Sequence, residues 1–244
     1  MRCAVMWSGG KDSALAANRA RRSGFEIACL VNFYDEATGR VRFHATRTEL
    51  ITAQADAIGV PLVLRGTTWP GFDKAFGDTL RALVGDGIDG IVFGDIHLAD
   101  VRAWYETRVR AAGLAHVEPL WGEAPRELLE EFVATGGRAV VTCCESDKLD
   151  ESWLGRVIDE RFVREIVALP IDPCGENGEY HSFAFAGPLF FRPVPYAAGE
   201  RRSDGRFVQL DLLPGSEPLV AVDRGLEVSD DREEKLDRKC QPHE

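Results

Sequence analysis

The feature that most constrains the fold is an alternation of apolar runs with helical segments over the first 145 residues. Each run has the length of one buried strand, and the segments between runs repeat apolar residues at helical spacing. Strands that alternate with helices of this length form βαβ crossovers, which place helices on both faces of a parallel sheet. The predicted strands are residues 3–7, 27–33, 60–64, 90–94 and 138–143, and the predicted helices are residues 12–22, 46–58, 72–84, 99–112 and 125–135.

The alternation stops near residue 146, which predicts a second, smaller α+β lobe. Residues 188–213 contain two β-rich runs around a turn at Asp204-Gly205, and this pattern is typical of a hairpin. The end of the chain is mostly charged with few apolar side chains, a composition typical of a disordered tail. We therefore divide the chain into an α/β domain at residues 1–145, a lobe at residues 146–222 and a tail at residues 223–244.

Composition narrows the class of protein. The formal net charge is -11 and the isoelectric point is about 5.0, which argues against binding to a nucleic-acid backbone. The sequence shows no secretory segment and no apolar run long enough to span a membrane. The six cysteines form no disulfide framework, as expected for reduced thiols. We expect a cytoplasmic protein with neither a membrane nor a nucleic-acid partner.

The first predicted strand runs into Ser8-Gly9-Gly10-Lys11-Asp12-Ser13, at the strand end where ligands bind in open parallel sheets. Glycines let bare backbone approach an anion, and the N-terminus of the following helix attracts negative charge. Lys11 supplies a cation and the two serines supply hydroxyl donors. Asp12 is suited to hold Mg²⁺ against the same phosphates, which would offset its own charge. The stretch therefore predicts a phosphate-binding loop.

Two common nucleotide loops do not fit this stretch. A Walker A loop requires glycine where the chain has Val5, and serine or threonine where it has Asp12. The dinucleotide fingerprint requires a third glycine, which the stretch lacks. The remaining alternative is an ordinary turn between a strand and a helix, with glycines for geometry and a polar cap.

Four stretches carry a resemblance to known proteins. Residues 8–13, directly after a strand, resemble the PP-loop of the ATP pyrophosphatases. Residues 91–96 (IVFGDI), 116–122 (HVEPLWG) and 172–190 (DPCGENGEYHSFAFAGPLF) resemble the diphthine–ammonia ligase family within that group. The resemblance covers about residues 1–213 in the family's own order, and its Cys-Gly-Glu-x-Gly-Glu stretch is the most specific part.

The resemblance implies a Rossmann-like PP-loop fold and an AMP-forming amide ligase. In the implied reaction a substrate carboxylate attacks the α-phosphorus of ATP, pyrophosphate leaves, and ammonia displaces AMP. The implied ligands are ATP, Mg²⁺, ammonia and an unidentified carboxylate acceptor. The acceptor is either a protein side chain or a small molecule, and the second lobe would determine which acceptor binds. The sequence leaves open whether the protein forms a homo-oligomer. The alternatives are another PP-loop enzyme, such as a tRNA-modifying one, and a non-catalytic regulator that binds adenine nucleotides.

The resemblance also implies nucleotide-binding residues. Within the loop, Lys11 would stabilise the phosphates and Asp12 would orient Mg²⁺. Three implied residues outside the loop also have a simpler interpretation: Phe33 as a packing aromatic, His44 as a polar surface residue, and Asp95 as the N-cap of the next helix. The implied nucleotide-binding residues are Ser8, Gly9, Gly10, Lys11, Asp12, Ser13, Phe33, His44, Gly94 and Asp95.

The second implied set lies in the Cys-Gly-Glu stretch. Glu176 and Glu179 are the implied catalytic pair, since two carboxylates around a glycine turn can attract ammonium or take a proton from it. The simpler interpretation is a solvated acidic turn. Cys174 is either functional or, like Cys143 and Cys144, a buried thiol. The implied substrate-binding residues are Cys174, Gly175, Glu176, Gly178, Glu179 and His181.

Overall fold

A computed structural model of the protein describes residues 1–41, 45–203 and 205–215. Two sheets organise these residues. The strands of the first sheet are β1 (Arg2–Met6), β2 (Glu26–Asp35), β3 (Arg40–Val41), β4 (Leu62–Thr67), β5 (Gly90–Val92) and β6 (Ala115–Val117). Those of the second sheet are β7 (Arg138–Glu145), β8 (Tyr180–Ala186), β9 (Tyr196–Ser203) and β10 (Phe207–Pro214). The α-helices are α1 (Lys11–Arg22), α2 (Thr48–Ile58), α3 (Phe72–Gly85), α4 (Ala99–Ala111), α5 (Pro125–Ala134) and α6 (Glu160–Ile166).

The first sheet is parallel except for β3. Leu30 of β2 pairs with Val5 of β1 and with Leu62 of β4, so β1 and β4 flank β2. With β5 and β6 beyond β1, the order of the parallel strands is β4-β2-β1-β5-β6. One apolar core lies under α1, α2 and α5, and another lies under α3 and α4 on the opposite face. The predicted α/β class, with helices on both faces, is confirmed.

The second sheet is antiparallel, in the order β8-β7-β10-β9. Strands β9 and β10 form the predicted hairpin, with Val208 opposite Ser203. Residues 138–143 form a strand as predicted, but its expected place in the parallel sheet is wrong, since this strand is β7. Because β7 is buried on both faces, its apolar run looks like that of a parallel strand. The place beside β5 belongs to β6, which at three residues is too short to show a period.

The two sheets share one apolar core. The core under α1 continues into the second sheet through Val140, Phe183 and Leu210. The backbone N–H of Ala184 in β8 donates to the Gly9 carbonyl at 2.8 Å, which brings β8 against the predicted phosphate loop. The domain division at residue 145 stays a prediction, and the predicted tail lies outside the described residues. None of the helices in the described ranges has the length and hydrophobicity to cross a bilayer.

Candidate active site

The predicted phosphate loop is a tight turn from β1 into α1. Gly9 has φ +84°, and a Cβ atom there would lie 2.6 Å from Cδ1 of Ile51, so both backbone and space require glycine. Helix α1 begins at Lys11, with Gly10 at its N-cap position. The Gly10 N–H donates to Ser8 Oγ at 3.2 Å. The turn therefore places backbone amides at a helix N-terminus, as a phosphate site requires.

A buried glutamine holds this loop from below. Gln54 of α2 is fully buried and donates from Nε2 to the carbonyls of Gly9 at 2.9 Å and Ala184 at 2.6 Å. Its Oε1 accepts from the Trp7 indole N–H at 2.8 Å. One side chain thus connects β1, the phosphate loop and β8. Gln54 was not among the residues predicted from the sequence, where its signal is a polar side chain on the apolar face of a predicted helix.

The Lys11 ammonium is buried at the junction of the two sheets. Only 3% of the residue is exposed. Its Nζ lies 2.8 Å from Asp12 Oδ2, 4.9 Å from the centre of the Tyr180 ring, and donates to the Cys174 carbonyl. Burial is the largest single effect and opposes the charged form, but the Asp12 carboxylate, Tyr180 and Cys174 together outweigh it and hold the pKa of Lys11 above its usual value. Lys11 is therefore a fixed cation that links the phosphate loop to the Cys-Gly-Glu stretch.

The two glutamates of that stretch have different environments. Glu179 is 5% exposed, and its carboxylate accepts from the backbone N–H groups of Asp172 and Asn177, each at 3.1 Å. These bonds close the turn on itself, so Glu179 is engaged within its own loop. Glu176 reaches out of the loop instead, and its Oε1 accepts from the Ile96 N–H at 2.9 Å. The structure thus brings Glu176 to the ends of the parallel strands.

Three carboxylates influence one another at this edge. Burial, followed by the charge of Asp12, raises the pKa of Asp95 to about 6. Burial and then the same charge raise the pKa of Glu176 to about 8, with Asp95 contributing as well. Asp95 is not an N-cap, because Leu98 holds that position for α4. A Cβ atom at Gly94 would lie 2.9 Å from the Ser13 nitrogen, so the end of β5 packs directly on the start of α1.

This arrangement fits a cation that arrives with phosphates. In the described part of the chain, no three His, Cys, Asp or Glu side chains form a ready metal cluster. Mg²⁺ typically takes only one or two protein carboxylates and completes its shell with water and nucleotide oxygens. Asp12 and Asp95 are such a pair, and their mutual repulsion would be relieved by a divalent cation.

Other predicted residues lie differently. The Phe33 ring packs in the core under α3 and α4, as expected for a packing aromatic. The centre of its ring lies 5.1 Å from that of Phe72 and 6.0 Å from that of Phe76. His44 lies outside the described residues. His181 lies between Tyr180 and Ser182, and since both of these contact Lys11, the strand period directs His181 to the other face of β8.

The cysteines are buried. Cys174 Sγ donates to the Pro125 carbonyl at 3.1 Å, and burial raises the pKa of its thiol well above the usual value. Cys143 and Cys144 lie within β7 and are buried as well. The five cysteines of the described residues are free thiols. These positions favour a packing role, while the Cys174 carbonyl, rather than its sulfur, faces Lys11.

The sequence analysis also missed Tyr180 and Ser182. The Ser182 Oγ accepts from the Lys11 backbone N–H at 3.2 Å, and the Tyr180 ring covers the Lys11 ammonium. Both residues lie within the stretch that carried the resemblance. Being two residues apart, they share one face of β8, but their contact with Lys11 can be predicted only once it is known that α1 packs on that face. They complete the enclosure of Lys11.

A parallel sheet ending in a Ser-Gly-Gly-Lys-Asp-Ser loop, with a buried lysine and carboxylates at the strand ends, defines a PP-loop nucleotide-binding protein. Comparison with known proteins is more specific. A model of the diphthamide synthase N-terminal domain matches residues 1–116, and a model of its C-terminal domain matches residues 124–206. The chain belongs to the diphthine–ammonia ligase family.

Individual relatives agree with this assignment. The diphthine–ammonia ligase of Bos taurus is 26% identical, in an alignment that covers 80% of this chain and 82% of the bovine protein. The Homo sapiens enzyme is 25% identical with the same coverage. The Danio rerio enzyme is 25% identical over 87% of this chain and 94% of its own length. The chain is an ATP-dependent ligase, as predicted, and the two alternative functions are not favoured.

Proposed function

We propose that this enzyme adenylylates a substrate carboxylate with ATP, releases pyrophosphate, and then joins ammonia to the activated carbon with release of AMP. The observation that carries the proposal is Lys11. It is a buried cation at the N-terminus of α1, held between the phosphate loop and the stretch that carries Glu176. A charge in this position is suited to the negative charge that develops on the phosphates during attack at the α-phosphorus.

The other residues have roles that follow from their positions. The N-terminus of α1, with the loop amides that Ser8 and Ser182 do not already engage, would hold the phosphates that leave as pyrophosphate. Asp12 and Asp95 would bind Mg²⁺, which on binding neutralises phosphate charge and polarises the phosphoryl oxygens. Glu176 would face the reacting carboxylate or its nucleophile, whereas Glu179 would act as a positioning residue that holds the turn.

The acceptor is a carboxylate presented by the second lobe. The relatives are named for diphthine, which makes a diphthine-like carboxylate on a protein side chain the first acceptor to test. We place the reaction in the cytoplasm, in keeping with free thiols in the described residues. The predicted contacts of Phe33, His44, Cys174 and His181 with ligands stay proposals.

The test is an assay of nucleotide products. Purified enzyme, Mg-ATP, ammonium chloride and a fractionated cell lysate are combined, and AMP and ADP are quantified separately. AMP and pyrophosphate that depend on the lysate fraction support the proposal, and ADP with phosphate would overturn it. ATP binding without AMP from any fraction would indicate a regulator. Lys74→Ala is the matched control for Lys11→Ala, because the Lys74 side chain is 83% exposed.

A further inference from the structure

The carboxyl edge of the first sheet carries one further carboxylate, Glu118, that the proposed reaction has not used. Asp12 follows β1, Asp95 follows β5, and Glu118 directly follows β6. Strands β1, β5 and β6 are neighbours in the sheet, with about 5 Å between adjacent strands. The three carboxylates therefore form a row that leads from the phosphate loop toward the sheet edge.

Glu118 is buried without the hydrogen bonds that a buried carboxylate normally accepts. Its side chain is 3% exposed and that of His116 is 2% exposed. Both carboxylate oxygens of Glu118 and Nε2 of His116 lack a hydrogen-bond partner among the described residues. Arg102 Nε is 2.9 Å from Glu118 Oε2, and His116 Nε2 is 3.4 Å from Oε1, but neither contact has hydrogen-bond geometry. The two ion pairs offset part of the charge of Glu118, but buried acceptors without a hydrogen bond are rare, and these oxygens can accept from a further donor.

The charges around Glu118 come from three elements. Arg102 and Glu106 project from α4, Asp95 follows β5, and His116 lies in β6. Burial comes first among the causes that raise the pKa of Glu118 to about 7, Asp95 and Glu106 add to it, and Arg102 opposes it. For His116, burial and the charges of Arg102 and Arg110 lower the pKa, while Glu106 opposes them. These shifts make Glu118 a stronger base than an exposed carboxylate, and they favour the neutral form of the His116 imidazole.

The Glu118 segment is connected to the candidate active site. The Gly122 N–H donates to the Ile96 carbonyl at 2.8 Å, and the Ile96 N–H donates to Glu176 at 2.9 Å. The Arg102 guanidinium lies 4.4 Å from the Trp121 ring centre, which fixes it beside the carboxylate. The loop after β6 is thus held against the loop that carries Asp95 and, through it, against Glu176.

We propose that Glu118 and His116 form the site that binds ammonium and removes its proton. This inference rests on the proposed function, since it assigns the nucleophile's place in that reaction. Ammonium has the size of a water molecule, carries the charge that a row of carboxylates attracts, and has N–H donors for the open acceptors of Glu118. A proton moves from ammonium to the carboxylate, which leaves neutral ammonia. The ammonia then reaches the acyl-adenylate, its lone pair forms the C–N bond, the bond from the acyl carbon to the AMP oxygen breaks, and the extra proton on nitrogen passes to the phosphate of the departing AMP.

The test compares two nucleophiles in Glu118→Gln. Hydroxylamine is largely unprotonated near neutral pH, so it attacks an acyl-adenylate without a base. With a lysate fraction as acceptor source, we expect ammonium-dependent AMP release to fall about 100-fold, the lower end for loss of a general base. Hydroxylamine-dependent release should match wild type. Equal losses with both nucleophiles, or no loss with ammonium, would overturn the inference. If wild type releases no AMP with either nucleophile, the proposed function itself fails.

A measurement on the wild-type protein covers the case in which the variant does not fold. Ammonium chloride should raise the melting temperature above that in sodium chloride of equal ionic strength. Tetramethylammonium, which has no N–H donor, should give no such increase. The absence of an ammonium-specific shift would contradict the site.

Discussion

Replacing Gln54 by leucine tests whether one buried amide holds the phosphate loop in place. The substitution keeps a side chain of similar volume but removes three hydrogen bonds, to Trp7, Gly9 and Ala184. The indole N–H would lose its partner in the core, at a cost of about 1–3 kcal/mol. The Gly9 carbonyl keeps the bond from the Ala184 N–H, and the loss of one hydrogen bond at each of the two carbonyls costs about 1 kcal/mol.

The expected loss in the free energy of unfolding is therefore about 3–5 kcal/mol, measured by urea denaturation followed by tryptophan fluorescence. Asp56→Leu is the matched control, since it places the same side chain on an exposed position of the same helix. It should change stability by less than about 0.5 kcal/mol. The KM for ATP should rise in Gln54→Leu only. A Gln54→Leu protein as stable as the control would refute the claim that this glutamine anchors the loop.

Three further perturbations have definite expected outcomes. Gly9→Ala should lower stability by at least about 1 kcal/mol and weaken ATP binding by calorimetry, because φ is +84° and the new methyl meets α2; unchanged ATP affinity would contradict this. The pKa of Glu176 is raised from 4.5 to about 8, so the folded state retains a proton that the unfolded state has lost, and stability should fall as pH rises across that interval. Glu176→Gln should make this slope in urea midpoints shallower, with the parts due to Asp95 and Glu118 remaining, and an unchanged slope would exclude Glu176 as a source. Asp211 is 6% exposed and pairs with Arg40 and Arg47, so Asp211→Asn should cost about 3 kcal/mol in urea denaturation, and a neutral effect would show that the pair contributes nothing.

Local pattern was sufficient for most elements of the fold. Helix α1 begins one residue before its predicted start, and α3 extends one residue past its predicted end. These helices could be predicted closely because the apolar spacing that marks a helix depends only on residues near one another in the chain. The same reasoning failed for β7, since an apolar run reports burial on both faces and does not report which strand lies alongside. It also missed β6, whose three residues are fewer than any period requires.

Some features of the candidate active site could likewise be predicted from local sequence, and others could not. The turn at residues 8–13 could be predicted because its glycines, lysine and helix start are contiguous. Glu176 and Glu179 could not be distinguished, since their difference lies in whether each carboxylate bonds to its own turn or to Ile96. Gln54 bonds to Gly9 and also to Ala184, which lies 130 residues after it in the chain, and no local signal reports a contact of that kind.

The central claim is that a carboxylate attacks the α-phosphorus of ATP with Lys11 stabilising the departing phosphates. Its most direct test is the exchange of labelled pyrophosphate into ATP, in the presence of the acceptor fraction and without ammonium. The account predicts exchange that requires the acceptor, falls by about 100-fold to 1000-fold in Lys11→Ala, and is unchanged in Lys74→Ala. Acceptor-dependent product without any exchange, or full exchange in Lys11→Ala, would contradict it.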